Sequence, residues 1–460
     1  MTTMSYEPPS LQLHEQDRLV NAHGQPDLVI SELGGVAVEK LVSDYGSPLI
    51  VFEESVLRKR ARAMRAAFTS RYPKVRFGWS YKTNYLDAVC GLLHQEGWDA
   101  EVVSELEYDM ARRLGIPGTR ILCNGAHKPR RWLQRTIEEG AYVQLDHFDE
   151  LILLEQLARE RGVQVAVGIR VNLMAESLGV AWERFGFHFE SGEALDAALR
   201  VCQSHHLRLT GVHCHLGTFI PDPQAYRESA RKLVSLIEQV EEHTQGHLDC
   251  RIERINLGGG FPSGNTLAIP LPGNSQPPPI EDYAEAICDE LHDLLGDRSP
   301  LPELCLESGR ALCDDAGTLI TTVSGTRRLS SGARGVVLDG GLNILYTAHW
   351  YRHAVRLGQP VLGSYEDTIL YGPLCMNIDA LAGPLRLPPV TVGHRVLLQC
   401  VGAYNVTQWM QFSQLRPAVV MVTSDGQVEV IRRAETIADV KAPEKLPSRF
   451  APTAIPSDRR

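Results

Sequence analysis

The chain has 460 residues, 43% hydrophobic and 22% charged, a globular composition and not a disordered one. At roughly 100–200 residues per domain this suits two domains, or one large α/β barrel with a smaller partner. A formal net charge of −10 excludes the basic footprint of a nucleic-acid binder, and no apolar run approaches the roughly 18 residues of a membrane span. The first 30 residues hold Glu7, Glu15, Asp17 and Asp27 and no apolar signal segment, so a cytoplasmic protein is expected. Ten cysteines are scattered without a CxxC, so most are expected to be reduced core thiols and none part of a zinc or redox motif.

Along the chain, residues 28–30 and 49–52 are short apolar runs that can add strands to a second domain. From 76 to 308 apolar runs alternate with amphipathic stretches. The runs lie at 77–81, 100–103, 121–124, 142–146, 165–172, 209–216, 254–260 and 303–307. Between them, 87–95, 105–114, 148–161, 194–204, 224–242 and 283–295 repeat apolar residues at three- and four-residue steps, the helical period. Strands alternating with helices form parallel sheets, and eight strand–helix units close a (β/α)8 barrel. The competing architecture is an open doubly wound sheet, which usually has fewer strands. Residues 267–280 hold five prolines and read as a loop inserted after the seventh strand. Beyond 315 the runs 317–327, 335–338, 395–400, 417–422 and 427–431 are short and β-rich, separated by Gly and Asp-Gly turns. The expected division is a barrel over 50–315 and a mostly antiparallel β-domain from 1–49 and 316–460, with 442–460 a frayed tail.

Function in such a barrel lies at the carboxyl ends of the strands. There the sequence places Lys82 in Tyr-Lys-Thr-Asn, His213-Cys214-His215, the triple glycine Gly258, Gly259 and Gly260, and Glu307 followed by Arg310. Bare glycine amides can cradle a phosphate, though a triple glycine also makes a plain tight turn. A lysine in an apolar mouth has its pKa lowered and suits a Schiff base; the plain alternative is a snorkelling or salt-bridged side chain. Glu307 and Arg310 form either a salt bridge or a pair that holds a ring nitrogen and an anion. Together they point to pyridoxal 5'-phosphate (PLP), bound covalently at Lys82, with its phosphate at the glycines and its pyridine nitrogen at Glu307. His213 and His215 share a strand face, but Cys214 points away and no third ligand has metal spacing, so no metal is expected.

Taken with Gly-Pro-Leu-Cys-Met-Asn-Ile-Asp at 372–379 and Gly-Ala-Tyr at 402–404, these motifs resemble the fold-type III PLP decarboxylases, the group of diaminopimelate and ornithine decarboxylases. The resemblance runs in order over about residues 45–425. It implies an alanine-racemase-like barrel with a β-domain, and a homodimer whose active sites are shared between subunits. It implies Lys82 as Schiff-base lysine, His215 stacked on the cofactor ring, and Thr218, Gly258, Gly259, Gly260 and Tyr404 on the phosphate side. Glu307 is implied at the ring nitrogen and Arg310 beside phosphate and substrate carboxylate. Cys375, from the partner subunit, is implied as proton donor, with Asp379 in the same motif. A buried core thiol is the alternative for Cys375.

The distal contacts depart from the pattern. Diaminopimelate decarboxylases usually carry Glu after that cysteine, where this chain has Met376, and Arg-Pro where it has Thr347-Ala348; the nearby tyrosine is kept as Tyr351. The segment 402–412 resembles decarboxylases of carboxylate-siderophore and other specialised pathways. A diamino acid or a citryl- or acyl-conjugated amino acid is therefore the expected substrate, with diaminopimelate the alternative. His349, Arg352, His353 and Arg356 read either as positive charge for a polyacid or as a solvated basic helix face. A racemase of the same fold is disfavoured by Glu307 and Cys375, and a non-enzymatic PLP carrier by the second domain.

Overall fold

The computed structural model describes residues 28–178, 182–244, 251–268, 277–296 and 298–450. Strands and helices alternate as β1 (Leu49–Glu53), α1 (Glu54–Thr69), β2 (Val75–Ser80), α2 (Asp87–Gln95), β3 (Asp99–Val102), α3 (Glu105–Arg113), β4 (Ile121–Cys123), α4 (Arg130–Glu139), β5 (Tyr142–Leu145), α5 (Phe148–Arg161), β6 (Val165–Asn172), α6 (Glu193–Cys202), β7 (Leu207–Cys214), α7 (Gln224–Thr244), β8 (Arg254–Asn256), α8 (Ile280–Leu295) and β9 (Glu303–Ser308). β2 to β9 pair in parallel, each with the next. β9 then pairs back onto β2, with Leu304 opposite Val75 and Ser308 opposite Trp79, so the barrel is closed. The expected barrel is the one observed, and the open doubly wound sheet is not.

Helix boundaries follow local chemistry. Ser104 caps α3 by accepting from the Glu107 amide, and α5 ends at Gly162 in the left-handed conformation, φ 65°. α5 buries Leu151, Leu154, Leu157 and Ala158, one stripe at helical spacing. Two of the helices around the barrel, α1 and α4, lie outside the stretches singled out from periodicity. α4 turns only Trp132, Leu133 and Thr136 inward from a mostly charged sequence. α1 precedes the first barrel strand yet packs against α8, so it fills the place of an eighth barrel helix. That place is open because the chain after β9 makes only the one-turn helix Arg310–Cys313 before leaving for the second sheet. Phe68 of α1 lies edge-on to Phe77 and Phe261, which anchors the helix to the barrel.

The second sheet contains β1 together with β10 (Gly317–Arg328), β11 (Arg334–Leu338), β12 (Val355–Leu357), β13 (Glu366–Tyr371), β14 (Ala380–Leu387), β15 (Arg395–Gln399), β16 (Ala418–Val422) and β17 (Val428–Arg432). Its pairings are antiparallel except β11 with β13 and β16 with β1. β1 is buried on both faces. Ile50 and Phe52 join the barrel-side core while Leu49 and Val51 join a smaller core behind the sheet, which explains the unbroken apolar run. The expected boundary at residue 50 falls inside this strand. Sequence texture did not single out β14, whose Gly383-Pro384 would break a central strand; it sits at the sheet edge, where proline is tolerated.

The proline-rich insertion lies partly outside the described residues, at 269–276. Its first residues, Thr266–Leu267, pair antiparallel with Tyr351–Arg352 of the second domain. Of the expected tail, 451–460 lie outside the described residues. Among the described residues no helix is long and apolar enough to cross a membrane.

Candidate active site

One polar cluster joins the barrel strands at their carboxyl ends. β2 passes into a single 3-10 turn, Tyr81–Thr83, that lifts Lys82 into the mouth with its side chain 33% exposed. Lys82 Nζ donates to Glu101 of β3 at 2.9 and 3.2 Å. Glu101 is fully buried and also accepts from Ser80 Oγ and from Asn124 Nδ2, the latter at 2.9 Å. The same Asn124 amide reaches Glu307 Oε1 at 2.9 Å, and Asn256 donates to that oxygen at 2.7 Å. His213 Nε2 stands 3.4 Å from the other Glu307 oxygen.

Charge balance in this cluster differs from the expectation for Lys82. Burial pulls the ammonium pKa down, but the carboxylate of Glu101, with Tyr404 and Glu307, outweighs burial and leaves it raised. Lys82 is thus a held ammonium and not a desolvated free amine. Burial pushes Glu307 up, yet His213, Lys82 and Asn124 together hold its carboxyl well below the usual range. Glu107 of α3, which accepts from the Val103 amide at 2.8 Å, is pushed up to about 7 by burial. His215 is lowered well below its ordinary value by burial and by the Lys82 charge, so its ring is neutral.

The glycine loop lies beside this cluster. Gly258 and Gly260 have φ of 65° and 97°. A Cβ on Gly259 would stand 2.0 Å from the Glu307 carbonyl oxygen, and one on Gly258 2.6 Å from that of Cys214. No side chain fits there, so the backbone lies flush against the ends of β7 and β9. The Gly259 amide donates to His215 Nδ1 at 3.1 Å, which turns the imidazole across the mouth. His213 and His215 therefore part company, one to Glu307 and one to the glycine loop. Thr218 follows His215 in the loop after β7 and is exposed.

Arg310 closes the far side. Its Nη1 donates to Asp314 at 3.2 Å, and its guanidinium lies 4.2 Å from the Tyr351 ring centroid and 4.9 Å from that of Tyr404. Its Nε is buried without a hydrogen-bond partner among the described residues. Asp314 also accepts from Ser263 Oγ at 2.6 Å and from the Ala403 amide at 3.2 Å, which ties the barrel to the second domain. A glycine cradle, a buried guanidinium with an unused donor, a lysine and an ionised carboxylate around one mouth are the groups that PLP requires. Lys82, His215, Thr218, Gly258–Gly260, Glu307, Arg310 and Tyr404 are the residues that would hold it.

The remaining predicted residues sit elsewhere. Cys375 is exposed and Met376 half-buried, both on the loop between β13 and β14. Among the described residues no hydrogen bond or ion pair joins either to the Lys82 cluster. Asp379 accepts from the Leu342 amide at 2.8 Å and the Leu374 amide at 2.7 Å, which ties its loop to the segment after β11. His353 is corrected. It is buried, and burial lowers its pKa to about 4, so it is neither a cation for a polyacid nor part of a solvated helix face. Residues 349–356 form a 3-10 end and two short strands, not a helix. Sequence reasoning did not single out Glu101 or Asp314, and it noted Asn124 and Asn256 only as polar residues at strand ends, without a role. The usable signal for Glu101 was an acid flanked by Ala100 and Val102 in an inner strand.

A family model for the pyridoxal binding domain of pyridoxal-dependent decarboxylases matches residues 54–314. Diaminopimelate decarboxylase of Bacillus subtilis is 30% identical over 91% of this chain and 95% of its own length. That of Actinosynnema pretiosum is 32% identical, over 89% and 91%. The crystal structure of diaminopimelate decarboxylase from Methanocaldococcus jannaschii superposes with a TM-score of 0.82 at 28% identity, covering 92% of this chain and 99% of that one. With the family model spanning more than half of the chain, and with such relatives along nearly all of it, the chain belongs to the pyridoxal-dependent decarboxylases, which are PLP-dependent carboxy-lyases.

Proposed function

We propose that this enzyme removes the α-carboxylate of an amino acid as CO2 and returns a proton to the same carbon, using the site at the barrel mouth. The observation that carries this reading is the juxtaposition of Lys82, the flush Gly258–Gly260 loop and an ionised Glu307 around one mouth. When bound, PLP supplies an electron sink for the charge left at Cα as CO2 departs. The chain's residues do the rest. Lys82 anchors the cofactor, and Glu101 is placed to hold the lysine proton. Glu307, ionised and fixed by Asn124 and Asn256, holds a proton at the pyridine nitrogen. His215, kept neutral, would lie against the ring without competing for that proton. Arg310 receives a carboxylate or phosphate oxygen. Cys375 returns the proton to Cα from the partner subunit of a homodimer, which accounts for its exposure in a single chain. We take the enzyme to be cytoplasmic.

Diaminopimelate is the substrate the relatives support, ahead of the conjugated amino acids expected from the 402–412 segment. The M. jannaschii enzyme has also been crystallised with L-lysine. A second reading, a substrate without diaminopimelate's distal ammonium and carboxylate, is supported by Met376 and by Thr347, whose hydroxyl is turned to Asn405 at 2.9 Å. A site built for a charged group rejects analogues lacking it, and the converse holds. The test is CO2 release from the purified enzyme with diaminopimelate, lysine, ornithine and citryl-diamino-acid conjugates. Turnover of diaminopimelate well above the others supports the first reading. Turnover of a conjugate alone supports the second. No CO2 from any amino acid would refute the decarboxylase assignment for this site.

A further inference from the structure

The loop that carries Tyr404 is strained. Cys400 and Tyr404 have φ of 56° and 63°, two non-glycine residues in the left-handed region within five positions. Between them Gly402 lies so close to the barrel that a Cβ would meet the Cys313 carbonyl oxygen at 1.8 Å. The loop is pressed directly onto the lysine turn: the Tyr404 amide donates to the Thr83 carbonyl at 2.8 Å, and Asn84 Nδ2 donates to the Gly402 carbonyl at 2.9 Å. A loop in this conformation persists only if its surroundings over-determine it.

Three buried polar side chains do so from the second domain. Asn405 Nδ2 donates to the carbonyls of Val401 and Ala403 at 2.9 and 3.3 Å, bridging the strained stretch. Its Oδ1 accepts from the Thr347 amide at 3.2 Å, and Thr347 Oγ1 lies 2.9 Å away. Thr347 Oγ1 is also 2.9 Å from His353 Nε2, while His353 Nδ1 faces the Gln399 carbonyl at 3.0 Å, one residue before the loop. A ring nitrogen facing a carbonyl carries the hydrogen, which leaves Nε2 an acceptor, so the single Thr347 hydroxyl hydrogen is shared between Asn405 Oδ1 and His353 Nε2. Asn405, Thr347 and His353 are at most 3% exposed.

We propose that Thr347, His353 and Asn405 form a clasp of positioning residues that holds the strained 400–405 loop, and so delivers Tyr404 onto Arg310 and its amide onto the lysine turn. The inference rests on the PLP reading of this site. It assigns a purpose to Thr347 and His353, which stand at or near the distal-contact segment but turn inward to the loop. The clasp acts only through Tyr404 and the lysine turn.

Thr347→Val removes the hydroxyl at nearly constant shape. The apo protein is titrated with PLP, and binding is read by cofactor absorbance beside the apo melting temperature. Thr347→Val should raise the PLP dissociation constant about tenfold, the order of one buried hydrogen bond. Thr347→Ser should restore it to within about twofold. In a Tyr404→Ala background Thr347→Val should cause a smaller further loss, because the ring it positions is gone and only the amide contact to the lysine turn remains. His353→Gln should behave like Thr347→Val and serves if that variant folds poorly. Wild-type affinity in both Thr347→Val and His353→Gln overturns the clasp, as does an equal loss with and without Tyr404. A wild-type protein that takes up no PLP overturns the cofactor reading, and the clasp with it.

Discussion

Glu307 is a buried carboxylate with two donors, Asn124 and Asn256, and with His213 Nε2 3.4 Å away, and it stays ionised against the cost of burial. Glu307→Gln keeps the shape and the hydrogen bonds but not the charge. That variant should retain PLP and slow decarboxylation on the order of 10²-fold, the scale of one preorganised electrostatic contact. A wild-type turnover number would remove Glu307 from the chemistry. His353 has the opposite character, a titratable group kept neutral. Its pKa falls from 6.5 to about 4 because burial, and then the Arg310 charge, oppose protonation. Between those values the unfolded chain binds a proton that the folded chain refuses. The apo protein should therefore lose stability as pH falls from about 6.5 toward 4, by up to about 3 kcal/mol from this residue. Denaturant midpoints at pH 7 and pH 5 should show a smaller acid loss for His353→Gln than for wild type; an equal loss would contradict a neutral buried His353.

At the scale of elements, the glycine loop after β8 shows how a strand end becomes a binding surface. Its backbone runs between the last residues of β7 and β9, and Tyr226 OH of α7 donates to the Gly259 carbonyl at 2.8 Å from below. Gly259→Ala sets a methyl group against the Glu307 carbonyl, so the loop must lift away. PLP affinity should drop by at least tenfold while the barrel still folds, as judged by circular dichroism. Unchanged affinity would mean that the loop does not contact the cofactor. α1 makes a second point about elements. It covers the barrel between β9 and β2 although it precedes both, since the one-turn helix after β9 is too short to do so.

For the whole molecule, the exposed Cys375 in the second domain and Lys82 in the barrel mouth suit a site divided between two subunits. A two-fold dimer would give two such sites. Mixing inactive Lys82→Ala with inactive Cys375→Ala under subunit exchange should then restore activity. About half of randomly formed dimers are hybrid, and each hybrid holds one site with neither substitution, so activity should approach about a quarter of wild type. Exchange demonstrated by mass spectrometry with no return of activity would place the whole site within one chain.

Local pattern was enough for the barrel. Apolar runs of strand length, separated by stretches of helical period, have one compact solution, and all eight runs are barrel strands. Local pattern also marked Lys82, the three glycines, Glu307 and Arg310, because each lies at a strand end where a barrel concentrates its chemistry. Partnership was beyond its reach. That Lys82 is an ammonium on Glu101, that Asn124 links two glutamates, that Asp379 ties its loop to Leu342 and that His353 and Thr347 hold Tyr404's loop all depend on residues far apart in the chain. A side chain's charge state and direction follow from burial and from what stands opposite, and only the closed barrel and the sheet packed over it bring those groups together.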